Sequence, residues 1–248
     1  MTDERDARHL SLEDFGSVGV ERLKGATVVI IGAGGIGGHV TLALAAAGIG
    51  TIRLFDHDRI DATNLARQTL FTASDIGASK AQITAKRVRA QNPDCEVQAI
   101  DSRADETSLA AVAADADCII DASDNFATRF AVNRVAVTHG VALVTGSAIR
   151  WEGQFATFGP DYETSPCYAC VYSPDDESLE DCQGAGVLAS LPGTIGQCLA
   201  TETIALLTGK SRPHQLTIWD ARHASVAQLK VSKRSSCSVC SPRNTTQG

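Results

Sequence analysis

An apolar run that breaks into glycines is the feature that most constrains this 248-residue chain. Residues 28–31 read Val-Val-Ile-Ile, and residues 32–38 read Gly-Ala-Gly-Gly-Ile-Gly-Gly. Four β-branched residues in a row predict a strand buried on both faces, as in parallel sheets. The glycines allow a sharp turn and a close approach to a ligand, at which the N–H groups of the following helix would point. The stretch therefore predicts a phosphate-binding loop, although a motif of this kind alone does not decide which nucleotide is bound.

The length, the charge and the N-terminal residues limit the class of protein. A chain of this length fits one large α/β domain, or a domain with an insert. The net charge of −7 and the pI near 5.3 argue against nucleic acid as a partner. The first ten residues alternate in charge where a secretory signal would be apolar, and no apolar run is long enough to span a membrane. We therefore expect a cytoplasmic protein with no membrane association.

Charged and amide residues follow the second predicted strand, 51–56. That strand ends at Asp56, where a Rossmann-type fold places an acidic side chain on the ribose hydroxyls. The chain then enters a polar loop that contains Arg67, and Ser79 and Lys80 open an amphipathic helix that ends near residue 91. Arg67 and Lys80 would be ordinary surface charges in most proteins. Beside a glycine loop at the carboxyl edge of a parallel sheet, they would instead bind a triphosphate.

The middle of the chain repeats strand and helix. Strands are predicted at 96–100, 117–121 and 141–146, and helices at 106–114 and 125–139. The strand 117–121 is followed by carboxylates, of which Asp124 is well placed to bind magnesium, because ligands lie outside the carboxyl ends of such strands. The alternative is that Asp124 caps the next helix. The β-α repetition predicts a doubly wound, mainly parallel sheet.

The character of the sequence changes after residue 147. Residues 152–158 alternate between polar and apolar, which predicts an antiparallel strand. A helix over 187–207 with Gly209 as its stop and two strands, 215–219 and 225–231, complete the chain. The predicted fold class is thus α/β, with a Rossmann-like, doubly wound, mainly parallel sheet that is continued by antiparallel strands.

Cysteine spacing predicts a structural metal site. Four of the eight cysteines form two C-x-x-C pairs, Cys167 with Cys170 and Cys237 with Cys240. In a reducing compartment this pattern favours a structural zinc over disulfides or two redox dithiols, because four thiolates leave no open coordination position. Cys182 lies between the pairs in an acidic, glycine-containing stretch, 173–187, predicted to be a mobile loop. It is a candidate nucleophile, although its acidic neighbours would oppose a lowered pKa. The cysteines left over, Cys95, Cys118 and Cys198, are expected to be core or incidental residues.

The N-terminal residues have two interpretations. A short element is predicted over 13–24, and two arginines, Arg5 and Arg8, precede it. Composition alone favours a frayed basic tail before that element, because chain termini are usually poorly ordered.

Taken together, these motifs resemble the ThiF/MoeB/HesA family, the bacterial relatives of ubiquitin-activating enzymes. The resemblance covers the chain from Arg5 to Cys240. The motifs that carry it are GAGGIGG, DHDRIDATNLARQ, SK, DASDN, GSAIRWEGQ, CQGAGV and the two C-x-x-C pairs. The resemblance implies that the following residues bind ATP or its magnesium ion: Gly32, Gly34, Gly35, Gly37, Asp56, Asn64, Arg67, Gln68, Lys80, Asp124 and Asn125.

The resemblance also implies how the N-terminal arm is used. The family pattern R-Y-S-R-Q followed by F-G aligns with residues 5–9 and with Phe15-Gly16, and differs from them at Asp6, Ala7 and His9. On this alignment Arg8 would reach into the ATP site of a partner subunit. The resemblance therefore favours an ordered arm and a homodimer over a frayed tail.

The function that the resemblance implies is adenylation of the C-terminal glycine of a ubiquitin-fold sulfur-carrier protein that ends in Gly-Gly. Arg8, Arg67, Lys80 and Asp124 would serve this reaction, and in some relatives the cysteine that matches Cys182 bonds covalently to the carrier. Sulfur would come from a separate protein such as a cysteine desulfurase or a sulfurtransferase, for thiamin or molybdopterin biosynthesis; the length of the chain favours the thiamin type.

We expect a single domain, 1–248. It would comprise an N-terminal arm and helix (1–24), a nucleotide-binding half (25–150), a carrier-binding and zinc-containing half (151–240) and a tail (241–248). Two other functions stay open. An NAD-dependent oxidoreductase would use the glycine loop and Asp56, but would not explain Arg67, Lys80 and Asp124. A non-catalytic scaffold stabilised by zinc would not need all of the phosphate-binding residues.

Overall fold

One mixed sheet organises the computed structural model, which describes residues 2–173 and 186–241. The strands are β1 (Thr27–Ile31), β2 (Thr51–Phe55), β3 (Glu96–Ile100), β4 (Cys118–Asp121), β5 (Ala142–Ile149), β6 (Glu152–Phe158), β7 (Gln215–Asp220) and β8 (Ser225–Lys230). Their order in the sheet is β3-β2-β1-β4-β5-β6-β7-β8. The strands β1 to β5 pair in parallel and the last three pair antiparallel, so the predicted fold class is confirmed.

Helices cover both faces of the sheet. They are α1 (Thr2–Leu10), α2 (Gly16–Gly25), α3 (Gly37–Ala47), α4 (Lys80–Gln91), α5 (Glu106–Ala113), α6 (Phe126–His139), α7 (Tyr168–Val171) and α8 (Leu191–Leu207). One core lies between the sheet and the helices α2, α3, α4 and α8. The other core lies between the sheet and the helices α5, α6 and α7, and it includes the four cysteines of the C-x-x-C pairs. The molecule therefore has three layers.

Strand β1 shows why the apolar run folds at the centre of the sheet. Val28 and Ile30 belong to the first core, whereas Val29 and Ile31 belong to the second. Side chains alternate between the two faces of a strand, so a strand covered by helices on both sides is apolar throughout. The prediction of a strand buried on both faces is confirmed.

The order of the strands creates a crevice at the carboxyl end of β1. The strands β2 and β3 lie on one side of β1, and β4 lies on the other, with Ile31 opposite Asp121. The connections after β1 and β4 therefore diverge to opposite sides of the sheet. In open α/β sheets, ligands bind at such a switch point.

The last predicted helix begins later in the structure than the sequence predicts. The last helix begins at Leu191 instead of 187, because Val187 forms a β-bridge with Arg150 and Leu188 donates its N–H to the Arg150 carbonyl oxygen at 2.8 Å. Pro192 then lies in the first turn of α8, where a missing N–H costs little.

The expectation of a frayed N-terminal tail, based on composition, is wrong. Residues 2–10 form α1, and Asp6 is buried against α2, where its carboxylate accepts from the Lys24 ammonium at 2.9 Å. An ion pair thus attaches α1 to α2, and composition alone could not reveal it.

A search of the described residues finds no helix that combines the length and the apolar character required to cross a membrane.

Candidate active site

A cavity of about 580 Å³ lies in the crevice at the carboxyl ends of β1 and β4. It is lined by residues from both sides of the switch point. The predicted site residues among them are Gly32, Gly34, Gly35, Asp56, Asn64, Arg67, Gln68, Lys80, Asp124 and Asn125. These residues are scattered over a long part of the sequence, so their convergence in one cavity is a property of the fold.

The backbone of the glycine loop explains two of its glycines. Gly32 has a φ of +93°, and a Cβ built there would lie 2.8 Å from the Ala122 carbonyl oxygen. Gly37 is the first residue of α3, where a Cβ would lie 1.7 Å from the Gly32 carbonyl oxygen. Gly32 therefore permits the turn, and Gly37 permits the helix to start against it. Gly37 is not among the described residues that line the cavity, so the structure shows a packing role for it, and its contact with the cofactor stays a prediction.

Asp56 supports the glycine loop as well as lining the cavity. Its Oδ2 atom accepts the Ala33 N–H at 2.6 Å, and its Oδ1 atom accepts the Asp58 N–H at 2.8 Å. Burial raises the pKa of this carboxyl group, and the two N–H donors act against that increase. The carboxylate is thus held in one orientation between the carboxyl ends of β1 and β2.

Lys80 is a buried cation in the wall of the cavity. It is 6% exposed at the start of α4, and its Nζ atom donates to the Asp58 carboxylate at 2.8 Å. Partial burial works to raise the pKa of Asp58, but the hydrogen bond and the charge of Lys80 outweigh it, so the pKa is lowered. The pair keeps an ammonium group at the cavity wall without leaving a buried charge unpaired.

The loop between Asp56 and Lys80 supplies an arginine and two amides. Arg67 donates from Nη1 to the Thr63 carbonyl oxygen at 3.1 Å, and Asn64 accepts the Asp61 N–H at 3.3 Å. Gln68 is 5% exposed, and its Oε1 atom is buried with no hydrogen-bond partner. An unpaired buried acceptor in a cavity wall fits a polar ligand that donates to it.

The loop after β4 holds Asp124 next to the start of α6. Asn125 caps that helix, because its Oδ1 atom accepts the Thr128 N–H at 2.9 Å. The alternative that Asp124 is the cap is therefore wrong, and its carboxylate is exposed at the cavity. Ser123, directly before Asp124 in sequence, also lines the cavity. An exposed carboxylate at the cavity fits a hydrated divalent cation.

Sequence reasoning missed several residues of the cavity. Asp58 lies in the polar loop, but its pairing with Lys80 across 22 positions becomes visible only in the fold. Arg103 follows β3, and the rule that was applied to the ends of β2 and β4 would also have found it there. Arg129 lies one turn after Asn125 and donates from Nη2 to the Ser123 carbonyl oxygen at 2.9 Å. The spacing of four residues between Asn125 and Arg129 places both on one face of the helix, and this spacing could have indicated Arg129 from the sequence.

The two C-x-x-C pairs converge into one buried cluster. Their four sulfur atoms lie within 4.8 Å of one another, with 3.8 Å between Cys167 and Cys237 and 3.5 Å between Cys170 and Cys240. A tetrahedral zinc ion with Zn–S bonds of about 2.3 Å requires sulfur atoms about 3.8 Å apart. The geometry of the thiols therefore fits zinc, with no open position for a substrate.

Neighbouring polar groups point at the sulfur atoms. Asn133 of α6 donates from Nδ2 to Cys167 Sγ at 3.5 Å, and the Arg234 N–H donates to Cys170 Sγ at 3.4 Å. The Lys233 ammonium donates to the carbonyl oxygens of Glu163, at 3.0 Å, and of Cys240, at 2.7 Å. Donors and cations of this kind stabilise a cluster of four thiolates, which carries a net negative charge even with zinc bound.

Arg8 is exposed on α1 and, like Gly37, is absent from the lining formed by the described part of this chain. Cys182 lies outside the described residues. Of the other cysteines, Cys95 and Cys118 are buried and Cys198 is half-buried, as expected for core or incidental residues.

Comparisons with known proteins agree with this arrangement. The chain is 38% identical over 244 residues to the "Sulfur carrier protein adenylyltransferase" of Thermus thermophilus, covering 96% of this chain and 90% of that protein. It is 35% identical over 241 residues to the "Sulfur carrier protein ThiS adenylyltransferase" of Escherichia coli, covering 97% and 96%. Among solved structures, E. coli MccB with ATP superimposes with a TM-score of 0.79 at 26% identity, over 90% of this chain and 68% of that chain. The model of the ThiF family matches residues 7–239, and the chain therefore belongs to the ThiF family.

Proposed function

We propose that this protein is an adenylyltransferase that uses ATP to activate the C-terminal glycine of a ubiquitin-like sulfur-carrier protein. The observation that carries the proposal is the cavity at the switch point, in which the glycine loop, Asp56, Arg67, Lys80 and Asp124 meet. The family match and the names of the two relatives support the reaction type. The related MccB was solved with ATP, which supports ATP as the nucleotide.

The cavity residues divide between the parts of the nucleotide. Asp56 accepts hydrogen bonds from the ribose hydroxyl groups, and the N–H groups of the glycine loop face the phosphates. Asn64, Arg67, Gln68 and Lys80 bind the phosphate oxygens, to which arginine offers a fork of donors and lysine a point charge. The second carboxylate, Asp124, would hold a magnesium ion, which neutralises phosphate charge when it is bound, and Asn125 would lie beside the nucleotide.

The reaction needs positioning and electrostatics more than acid-base catalysis. An oxygen of the carrier's terminal carboxylate attacks the α-phosphorus of ATP, so that an acyl–phosphate bond forms and the bond between the α-phosphorus and the bridging oxygen breaks. That oxygen leaves with pyrophosphate, and Arg67 and Lys80 stabilise the charge that develops on it. The nucleophile is already ionised at neutral pH, so no side chain has to remove a proton. The reaction therefore depends on how the site positions the carboxylate and the ATP rather than on a paired nucleophile and base.

The zinc cluster would hold the C-terminal end of the second half in place. We assign Cys167, Cys170, Cys237 and Cys240 as ligands of a structural zinc ion, which would fasten the C-terminal residues to α7. Residues 151–240 would form the carrier-binding half. Trp151, Val226 and Leu229 are large apolar residues exposed on that half, and they offer an apolar surface to a carrier protein.

The N-terminal arm supports a homodimer. Leu10, Leu12 and Val18 are exposed apolar residues in or near α1 and α2, which a second copy would cover. Arg8 lies outside the cavity of its own chain, so it would act in the site of the other subunit. Sulfur transfer would then require a separate donor such as a cysteine desulfurase or a sulfurtransferase, with Cys182 as a candidate for a covalent bond to the carrier.

The test is exchange of labelled pyrophosphate into ATP in the presence of candidate carriers that end in Gly-Gly. We expect exchange with one carrier, and we expect Lys80→Met to reduce it about 10²- to 10³-fold, because the lost charge acts on the leaving group. Lys86→Met is the matched control, since Lys86 is exposed on the same helix outside the cavity. Asp124→Asn should raise the magnesium concentration that is needed for half-maximal exchange.

The negative outcomes separate the alternative functions. A folded, zinc-loaded protein that binds ATP but gives no exchange with any carrier would contradict adenylation and favour a scaffold. A protein that binds NAD in place of ATP would favour an oxidoreductase. The identity of the carrier that supports exchange would also distinguish the predicted thiamin type from a molybdopterin type.

A further inference from the structure

His39 connects three segments that line the cavity, although its own side chain is not part of the lining. It lies in the first turn of α3, directly after the glycine loop. Its Nδ1 atom is 2.7 Å from the Gly35 carbonyl oxygen, and its Nε2 atom is 3.1 Å from the Thr69 hydroxyl oxygen. Gly35 belongs to the glycine loop, and Thr69 follows Arg67 and Gln68 directly in sequence.

The hydrogen-bond pattern fixes the tautomer of the imidazole. A carbonyl oxygen can only accept, so Nδ1 carries a proton and donates to Gly35. In the neutral ring, Nε2 then accepts from the Thr69 hydroxyl group. The backbone carbonyls of Gly34 and Ile36, on either side, accept the N–H groups of Gly38 and Val40 instead. The ring of His39 thus restrains the one carbonyl between these two helical hydrogen bonds.

The third segment is the first turn of α8. A Cβ built on Gly193 would lie 3.0 Å from His39 Nε2, so this turn packs directly on the ring. Its neighbour Pro192 lines the cavity beside Gly35. One imidazole therefore contacts the glycine loop, the segment that contains Arg67 and Gln68, and the start of α8.

We propose that His39 is a positioning residue for ATP: it sets the separation between the glycine loop and the segment that supplies Arg67 and Gln68. This inference rests on the proposed use of the cavity for ATP. Phosphate groups held between backbone N–H groups and an arginine are sensitive to small changes in that separation. Loss of the ring therefore weakens ATP binding without changing the affinity for the carrier.

The test compares two substitutions that keep different halves of the imidazole. The amide nitrogen of His39→Asn occupies the place of Nδ1, so this variant keeps the donor to Gly35. The terminal amide of His39→Gln reaches the place of Nε2, so this variant keeps the contact with Thr69 and loses the donor to Gly35. His39→Ala removes both contacts. His139→Ala is the control, because His139 is exposed at the end of α6 and does not line the cavity.

The readouts are the Kd for ATP by calorimetry and the KM values in pyrophosphate exchange. We expect His39→Ala to bind ATP about tenfold more weakly, which is the effect of one lost hydrogen bond. His39→Asn should stay within about threefold of the wild type, and His39→Gln should resemble His39→Ala. The KM for ATP should rise while the KM for the carrier is unchanged. A merely structural role would lower the active fraction, and so the apparent kcat, in all variants.

The outcomes distinguish failure of the inference from failure of the proposed function. A wild-type protein that binds ATP as tightly as all three His39 variants would overturn the positioning role and leave adenylation intact. Equal losses in His39→Asn and His39→Gln would also overturn it, because the Gly35 contact would then have no special importance. A wild-type protein that binds no ATP would refute the function of the cavity, and the inference with it.

Discussion

Asn133 offers a quantitative test of how the zinc cluster is attached to the rest of the fold. It is fully buried on α6, accepts the Tyr168 N–H at 3.0 Å through Oδ1, and donates from Nδ2 to Cys167 Sγ at 3.5 Å. One amide side chain thus holds both the backbone that follows the first metal ligand and the ligand itself. The two substitutions Asn133→Ala and Asn133→Asp separate these contributions.

The expected magnitudes follow from the groups that each variant leaves behind. Asn133→Ala leaves the buried Tyr168 N–H without an acceptor, which costs about 1–3 kcal/mol, and it also opens a small void. We expect a total loss of roughly 2–4 kcal/mol in the free energy of unfolding of the zinc-free protein. Asn133→Asp keeps the acceptor, but it replaces the donor to Cys167 with a carboxylate oxygen. It should therefore weaken zinc binding about 10- to 100-fold, as loss of an outer-shell partner does.

The assays are urea unfolding and competition for zinc with a chromophoric chelator. Asn92→Ala is the matched control: Asn92 is also a buried asparagine, which donates to the Ala45 carbonyl oxygen at 2.7 Å, far in sequence from the cysteines. This control should lose stability with no change in zinc affinity. If Asn133→Asp retained the zinc affinity of the wild type, the hydrogen bond from Asn133 to Cys167 would have no role in metal binding, and the reasoning would be refuted.

Three further predictions concern the loop, the core and the metal. Gly32→Ala should abolish most ATP binding, because the Cβ of an alanine there would lie 2.8 Å from the Ala122 carbonyl oxygen. The control is Gly77→Ala, at a similar φ of +86° with no neighbour within 4 Å, which should lose about 1 kcal/mol of stability with unchanged ATP affinity. Leu23→Ala should cost about 2–5 kcal/mol in urea unfolding, since Leu23 is fully buried, and Ile76→Ala, at an exposed site, less than about 0.5 kcal/mol. Removal of zinc with a chelator should lower the Tm, and readdition of zinc should restore it; an unchanged Tm would contradict a structural metal.

Local patterns were sufficient to predict most of the sheet. The strand β3 and the strand β6 match their predicted ranges, 96–100 and 152–158, residue for residue. Both are short runs bounded by loop residues, so propensity and periodicity agree with the tertiary environment. Composition missed the order of the N-terminal residues, which the family resemblance favoured, because the attachment of α1 depends on an ion pair between Asp6 and Lys24 that no local pattern reveals.

The candidate site was predictable where one sequence motif corresponds to one strand end. Asp56 and Asp124 follow buried strands, and the rule for carboxyl ends of strands places them in the same crevice. Gln68 was found through the family resemblance, but only the fold shows that its Oε1 atom is buried without a hydrogen-bond partner. Asp58 lies in the motif DHDRIDATNLARQ, but its hydrogen bond with Lys80 of α4 becomes visible only in the fold. Long-range pairing is the part of the site that sequence alone does not specify.

Helix α6 physically connects the predicted nucleotide-binding half with the cysteine cluster of the predicted second half. Asn125, Arg129 and Asn133 are spaced by four residues and so share one face of the helix. The first caps α6 beside Asp124, the second donates to the Ser123 carbonyl oxygen, and the third donates to Cys167. In addition, β5 and β6 pair across the predicted boundary at residue 150, with Ile149 opposite Glu152. Movement of the cysteine cluster would therefore displace the helix that orients the loop of Asp124, so the proposed zinc ion would stabilise the site although it lies outside the cavity.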